Sequence, residues 1–383
     1  MKITSITPYL IHVPIPEGFR TQSGAGYRLA RQMCLIEVTT DDGITGYGSC
    51  SDAYDLDVCS AVVNKVLQPE YIGRDPFQTE KMWETLYYGS LMRTLGSRSV
   101  GIAALSGIDI ALWDIKGKAL GIPLYQLFGG FAQDSVRPYA SSFPWHMDPH
   151  QAVEEAQRRS REGFTAIKIK IGDDPERELR IIEEVREALP DMDILVDADM
   201  AFRVDNAIRM AREMEGFGIY WFEEPISIDD IDGHVRLSQS TDIRIASGEN
   251  LYTRFPFRDL LAAQGIQVAQ ADVARAGGFT EVRKIAAMAA SFNALWAPHT
   301  SGDIVTTVAN LHLVAATANA PILELDVTYN PLMGDLAPDS LKWHEGNLLP
   351  PDRPGLGLQI DMDWVRGHPY SGEPYISLGM RPV

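Results

Sequence analysis

Three cysteines, a deficit of positive charge and the lack of any long apolar run set the first bounds on this 383-residue chain. Cys34, Cys50 and Cys59 form no CxxC pair and have no histidine at zinc-site spacing. A disulfide framework is therefore disfavoured, and a reduced, cytoplasmic setting is expected. Lysine and arginine number 34 against 52 aspartates and glutamates, a net charge of −18. Nucleic acid and anionic membrane need a basic partner surface, so neither is expected to bind. A small anionic substrate stays open, because a local lysine and metal cluster overrides the global sign. No run of about 18 apolar residues exists, so no membrane-spanning helix is expected. The opening MKITSITPYLIHVPIPEG has no apolar run of signal-peptide length before its prolines.

The chain is long enough for two domains and a large core. Residues 2–14 alternate like a half-buried strand, and 31–40 and 44–50 flank a hairpin signal, Asp41-Asp42-Gly43. Helical patterns follow near 53–68, 76–90 and 100–119, the last stopped by Gly121 and Pro123. From about residue 134 strand and helix patterns alternate. Strands are expected at 135–143, 164–171, 193–198, 219–224, 243–249, 267–272, 294–299 and 321–326. Asp148-Pro149 and Asp174-Pro175 each read as an N-cap before a first-turn proline. Eight near-continuous apolar runs with helices between them point to a parallel (β/α) barrel. The expected division is an α+β domain over 1–130, a barrel over 131–330, and a Pro/Gly-rich segment, 331–383, returning to the first domain.

Polar residues close these runs at a nearly fixed interval. Asp197, Glu223, Glu249, Asp272, His299 and Glu324 follow one another by 26, 26, 23, 27 and 25 residues, and Lys170 precedes Asp197 by 27. One βα unit occupies about that length, so these side chains fall on one rim of the barrel, where barrel enzymes carry out chemistry. Asp197, Glu223 and Glu249 close consecutive strands. Three converging carboxylates repel one another unless a cation neutralises them, and an all-oxygen set suits Mg²⁺. Lys168 and Lys170 are two apart and share a strand face. The barrel interior is the expected side, where a cation beside Lys170 would lower its pKa towards that of a base. Asp272 can fix the tautomer of His299 and leave its other nitrogen to move protons. Glu224, next to Glu223, is expected to point the other way in a supporting role.

The ordered set GFTAIKIKIG, ILVDAD, WFEEP, ASGEN, QADVARAGG, APHTSG and LELD resembles the mandelate racemase subgroup of the enolase superfamily. ALSGIDIALWDIKGK and PGLGLQI extend the resemblance over nearly the whole chain. It implies an N-terminal α+β capping domain over a (β/α)₇β barrel. It also implies one Mg²⁺ per subunit on Asp197, Glu223 and Glu249. Lys170 matches the base on one substrate face, Lys168 its partner at the substrate carboxylate, and His299, held by Asp272, the acid/base on the opposite face. Glu324 matches a carboxylic acid bonded to a substrate carboxylate oxygen. Asp199 stands where the subgroup often has Asn; it could pair with Lys168, bind a substrate hydroxyl, or repel a second carboxylate. Capping loops at 18–28 and 50–55 carry Arg20, Tyr27, Arg28 and Tyr54 as substrate candidates. Homo-oligomers, from dimers to octamers, are implied as well.

The expected chemistry is Mg²⁺-dependent removal of a proton next to the carboxylate of a small molecule. Dehydration of an acid sugar to a 2-keto-3-deoxy acid comes first. Racemisation, epimerisation or lactone cycloisomerisation through the same enediolate comes second. A noncatalytic sugar-acid sensor is the reading from another class.

Overall fold

The computed structural model describes residues 1–383 apart from 24–25, 51–55, 92–94, 99, 145–146, 301 and 378–383. The chain opens with β1 (Ile3–Pro14), β2 (Gln22–Ser23), β3 (Gly26–Arg28), β4 (Ala30–Thr40) and β5 (Thr45–Cys50). β1, β4 and β5 form an antiparallel sheet in that order. Gly43 supplies the positive φ of 78° that the β4–β5 turn needs. Helical segments at Leu56–Val62, Thr79–Leu86 and Val100–Leu120 cover the sheet. The last is buried from Gly101 to Gly117. A helix apolar on all sides has to be covered on all sides. Gly46 and Gly48 lie against it so closely that a Cβ on either would fall on the carbonyl oxygens of Ala111 and Gly107. In this core the three free thiols gather, each fully buried, with sulfurs within 4.8 Å of one another. Their spacing along the chain gave no hint of this; the β4–β5 register brings Cys34 opposite Cys50.

The larger unit has eight parallel strands: β6 (Pro138–Phe143), β7 (Ala166–Lys170), β8 (Asp193–Asp197), β9 (Ile219–Glu223), β10 (Ile245–Ser247), β11 (Val268–Ala269), β12 (Leu295–Trp296) and β13 (Leu323–Asp326). They pair in the order β12-β11-β10-β9-β8-β7-β6-β13. Seven longer helices alternate with them, from Pro149–Arg161 to Ile304–Ala315, which is the (β/α)₇β arrangement. Asp148 and Asp174 cap the first two, accepting from the backbone N–H of Gln151 and Arg177. Each expected apolar run contains a strand. Those at 243–249, 267–272 and 294–299 shrink to two or three residues. Gly248, at φ 132°, turns the chain out of one ladder, and Pro298 has no N–H to offer another.

Side-chain direction alternates cleanly. Tyr139, Ala166, Leu195, Trp221, Ala246, Val268, Ala297 and Ile322, one per strand or its flank, form an apolar plug inside the barrel. Their outward neighbours, such as Ile167, Val196, Phe222, Ala269 and Trp296, pack under the helices. Two positions along from the plug lie Lys168, Asp197, Glu223, Gln270, His299 and Glu324, so the barrel is greasy below and charged at the mouth.

After β13 come a hairpin, β14 (Lys342–His344) with β15 (Asn347–Leu349), a helix at Met362–Gly367, and β16 (Ile376–Ser377). The Tyr370 N–H donates to Leu10 O at 2.9 Å, and β16 pairs with β3. Among the described residues no helix is long and apolar enough to cross a membrane.

Candidate active site

Asp197 ends β8 and Glu223 ends β9, directly beside it in the ladder. Glu249 follows one residue after Gly248, just beyond β10. One oxygen from each carboxylate lies within 4.8 Å of the other two. Asp197 and Glu223 are fully buried. Burial first, and Asp197 second, drive the Glu223 pKa well above the usual carboxylate range. Three acids in this space are short of positive charge, and an all-oxygen donor set fits a hard divalent cation. Glu224 points away from the triad, at φ 36°, and accepts from Ser247 Oγ, the Gly248 N–H and, at 2.8 Å, Asn250 Nδ2. These bonds bracket Glu249 and fix the turn that presents it. Burial lifts the Glu224 pKa to about 8.

Two lysines reach into the same cluster from β7. Lys168, 2% exposed, lies 2.6 Å from Glu223, 2.8 Å from Glu324 and 3.2 Å from Asp197. Burial opposes its charge, but these carboxylates outweigh burial and hold the ammonium well above its ordinary pKa. Lys170 Nζ sits 2.6 Å from both Asp197 and Asp199. Its pKa is likewise raised rather than lowered: burial pulls it down, and the two aspartates push it up by more. The expected lowering depends on a cation competing for Asp197. Asp199, at φ 44°, therefore pairs with Lys170 and not with Lys168, which decides one of the alternatives left open by the sequence.

Across the mouth, His299 Nδ1 lies 3.0 Å from Asp272 Oδ2, and its Nε2 lies 3.7 Å from Glu249. The Ala274 N–H and Asn310 Nδ2 hold the other Asp272 oxygen. With Nδ1 bonded to the aspartate, Nε2 is the atom left for chemistry. Burial alone would depress the His299 pKa; Glu249 and the Asp272 bond overcome burial and Arg275, and raise it to about 9. Glu324 accepts from the Thr300 N–H at 2.9 Å. Burial would raise its pKa, but Lys168 and His299 bring it below the usual range. The role implied by resemblance, a hydrogen bond to a substrate carboxylate oxygen, needs its acid form.

Lys168, Lys170, Asp199, Glu249, His299 and Glu324 all line one cavity of about 310 Å³. Of the loop candidates, Arg28 lines it too. Arg20 and Tyr27 do not. Arg20 Nε donates to Ile15 O within its own loop, and Tyr27, next to Arg28 on a strand, alternates to the other side, 38% exposed. Tyr54 lies outside the described residues. Several lining residues escaped the sequence reading. Arg31 pairs with Asp326 at 2.9 Å, Arg275 donates to Glu249 O at 3.1 Å, and Asn250, Tyr252 and Thr328 also line the wall. QADVARAGG contains Arg275, but nothing in its spacing told a cavity wall from a helix start. Gln270, buried with neither amide atom hydrogen-bonded, was also missed; its place two residues past Val268 is the signal that could have found it.

Comparison with known proteins matches the description "Mandelate racemase / muconate lactonizing enzyme, N-terminal domain" over residues 9–129 and "Enolase C-terminal domain-like" over 151–364. The chain is 38% identical to D-galactarolactone cycloisomerase of Agrobacterium fabrum, over 95% of this chain and 97% of that one. It is 34% identical to arabinonate dehydratase of Saccharolobus solfataricus, over 86% and 88%. A crystal structure of a mandelate racemase-like protein from Bordetella bronchiseptica RB50 superposes with a TM-score of 0.97 at 48% identity, covering 99% of this chain and 97% of that one.

Proposed function

Since the chain belongs to the mandelate racemase/muconate lactonizing enzyme family of the enolase superfamily, we propose that it is an acid-sugar dehydratase. Superfamily members pair a Lys or His base with Mg²⁺. Asp197, Glu223 and Glu249 would hold one such ion in each subunit. When bound, it stabilises negative charge that develops on the substrate's carboxylate oxygens. The observation that carries the reading is that Lys170 and His299, two groups able to move protons, line the same cavity as Glu249.

This chain's residues divide the work. Lys168 donates to the substrate carboxylate, held in place by Glu324. Lys170 takes the proton from the adjacent carbon once Asp197 is engaged elsewhere. His299, as the imidazolium, gives a proton from Nε2 to the departing C3 hydroxyl. Water leaves, and the enol tautomerises to a 2-keto-3-deoxy acid. Asp272 keeps the imidazole in register. The substrate is a small carboxylate, the setting cytoplasmic and the assembly a homo-oligomer, which light scattering measures directly. The working division is a cap over 1–130, a barrel over 131–330 and a returning segment over 331–383.

The test is an aldonate and aldarate library with Mg²⁺, read for 2-keto product and by proton NMR in D₂O. Lack of product from every member would remove the dehydratase reading. A second reading, cycloisomerisation, is favoured by the 38% identity to a galactarolactone cycloisomerase. It predicts a keto acid isomeric with a lactone substrate, formed with no loss of water and carrying deuterium at the carbon that released the ring oxygen. Undiminished turnover in Lys170→Ala and His299→Asn would defeat both mechanisms, and binding of an acid sugar with no turnover in the wild type would leave a binding protein.

A further inference from the structure

The cavity has two ends of different charge. At the inner end the cations are committed: Lys168 to Asp197, Glu223 and Glu324, and Lys170 to Asp197 and Asp199. The outer end is walled by the β2–β3 hairpin, by Tyr375 and Ile376, and by Arg31, Asp326 and Thr328. Arg31 is bound to Asp326, to Thr328 Oγ1 and to Tyr329 O. Arg28 is not committed in this way. It lines the cavity, and among the described residues its guanidinium makes no hydrogen bond or ion pair.

The backbone that carries Arg28 is firmly held. β3 is paired on one side with β2 and on the other with β16. The Arg28 N–H donates to Thr21 O at 2.9 Å, and the next N–H donates to Tyr375 O at 2.7 Å. The Arg28 charge is felt at Asp326, whose pKa burial would raise but Arg31, Thr328 and Arg28 together lower. Arg28, Arg31 and Asp326 all line this end of the cavity. In a chain of net charge −18, spare positive charge on a braced strand inside the cavity is placed for an anion. A guanidinium takes a carboxylate through two parallel N–H donors.

We propose that the outer end of the cavity is a carboxylate subsite built on Arg28, and that the substrate is an acid sugar carrying a carboxylate at each end. The claim rests on the acid-sugar reading above for what fills the inner end. An aldonate, with a hydroxymethyl terminus, leaves Arg28 without a partner.

Galactarate with galactonate, and glucarate with gluconate, are pairs that differ in the terminal group alone. With Mg²⁺ present, the wild type should favour the dicarboxylate of the productive pair about tenfold or more in kcat/KM. Arg28→Met should lose about 10–100-fold on the dicarboxylate, mostly in KM, and less than about threefold on the aldonate. Arg28→Lys should recover part of the loss. Equal effects of Arg28→Met on both members, no effect on either, or a wild type that prefers the aldonate would overturn the subsite.

Thermal shift with the same four probes reads binding without turnover and checks that the variants fold. If nothing is turned over, yet a dicarboxylate raises Tm in the wild type and not in Arg28→Met, the subsite stands and the proposed reaction falls. If turnover is independent of Arg28, the reaction stands and the subsite falls. Neither turnover nor a Tm shift defeats both.

Discussion

Lys168 gathers more charge around itself than any other group at the barrel mouth described above, with three carboxylates within 3.2 Å of one ammonium. Its removal leaves buried acids without a partner, and breaking such a pair from one side costs about 3–5 kcal/mol. Lys168→Met should therefore lower Mg²⁺-free stability by that order, measured by urea denaturation. Glu224 acts at one remove, through the turn that carries Glu249. Supporting bonds of this kind are worth about 10–100-fold in metal affinity, so Glu224→Ala should weaken Mg²⁺ by that factor in isothermal titration. Asp272→Asn should reduce kcat by about 10²–10⁴-fold, because it unsettles the tautomer of the proton-moving group. The residues behind these predictions were legible because each closes an apolar run at a repeating interval. Arg31, Arg275 and Gln270 were not, since a cavity wall formed by residues far apart in the chain leaves no local pattern. The loop candidates were read by residue type alone. Strand alternation then separated Arg28 from Tyr27, and a bond to Ile15 took Arg20 away.

The elements were easier to read than their ends. Apolar runs with capping prolines located all eight barrel strands and the first helices, since both rest on local chemistry. The short β10, β11 and β12 depend on how the mouth is shaped, which no single run encodes. The joint between the cap helix and barrel helix Gly278–Ser291 also depends on tertiary contact. Gly278, at φ 77°, sits where a Cβ would strike the Asp109 carboxylate. Gly278→Ala should destabilise the protein by about 1–3 kcal/mol, seen as a fall in Tm. Asp109 accepts from the Thr280 N–H at 2.9 Å and from its hydroxyl at 2.6 Å. Burial lifts its pKa to about 7, against those bonds. Unfolded, it ionises near about 4. Between these values the folded state keeps a proton that the unfolded state has lost, so this contribution to stability declines as pH rises from about 4 to about 7 and then levels. Asp109→Asn should flatten that stretch of a urea-midpoint against pH curve.

Over the whole molecule, the −18 charge and the carboxylate triad act in one direction. A cation that binds only the folded state stabilises by mass action, about 2.7 kcal/mol at a hundredfold excess over its Kd. Mg²⁺ should raise Tm in a dose-dependent way, and Glu249→Gln should blunt the rise. The cap is fastened to the barrel at several points: Trp83 Nε1 to Gly277 O at 2.8 Å, Trp113 Nε1 to Thr280 Oγ1 at 3.0 Å, and Ser49 Oγ to Asp303 at 2.7 Å. A lid hinged between two lobes would have to break all of these at each turnover. The joint between cap and barrel therefore stays shut while substrate comes and goes, and access to the chamber does not depend on the two lobes parting. A designed covalent staple between the long cap helix and its barrel neighbour should therefore leave the turnover number unchanged.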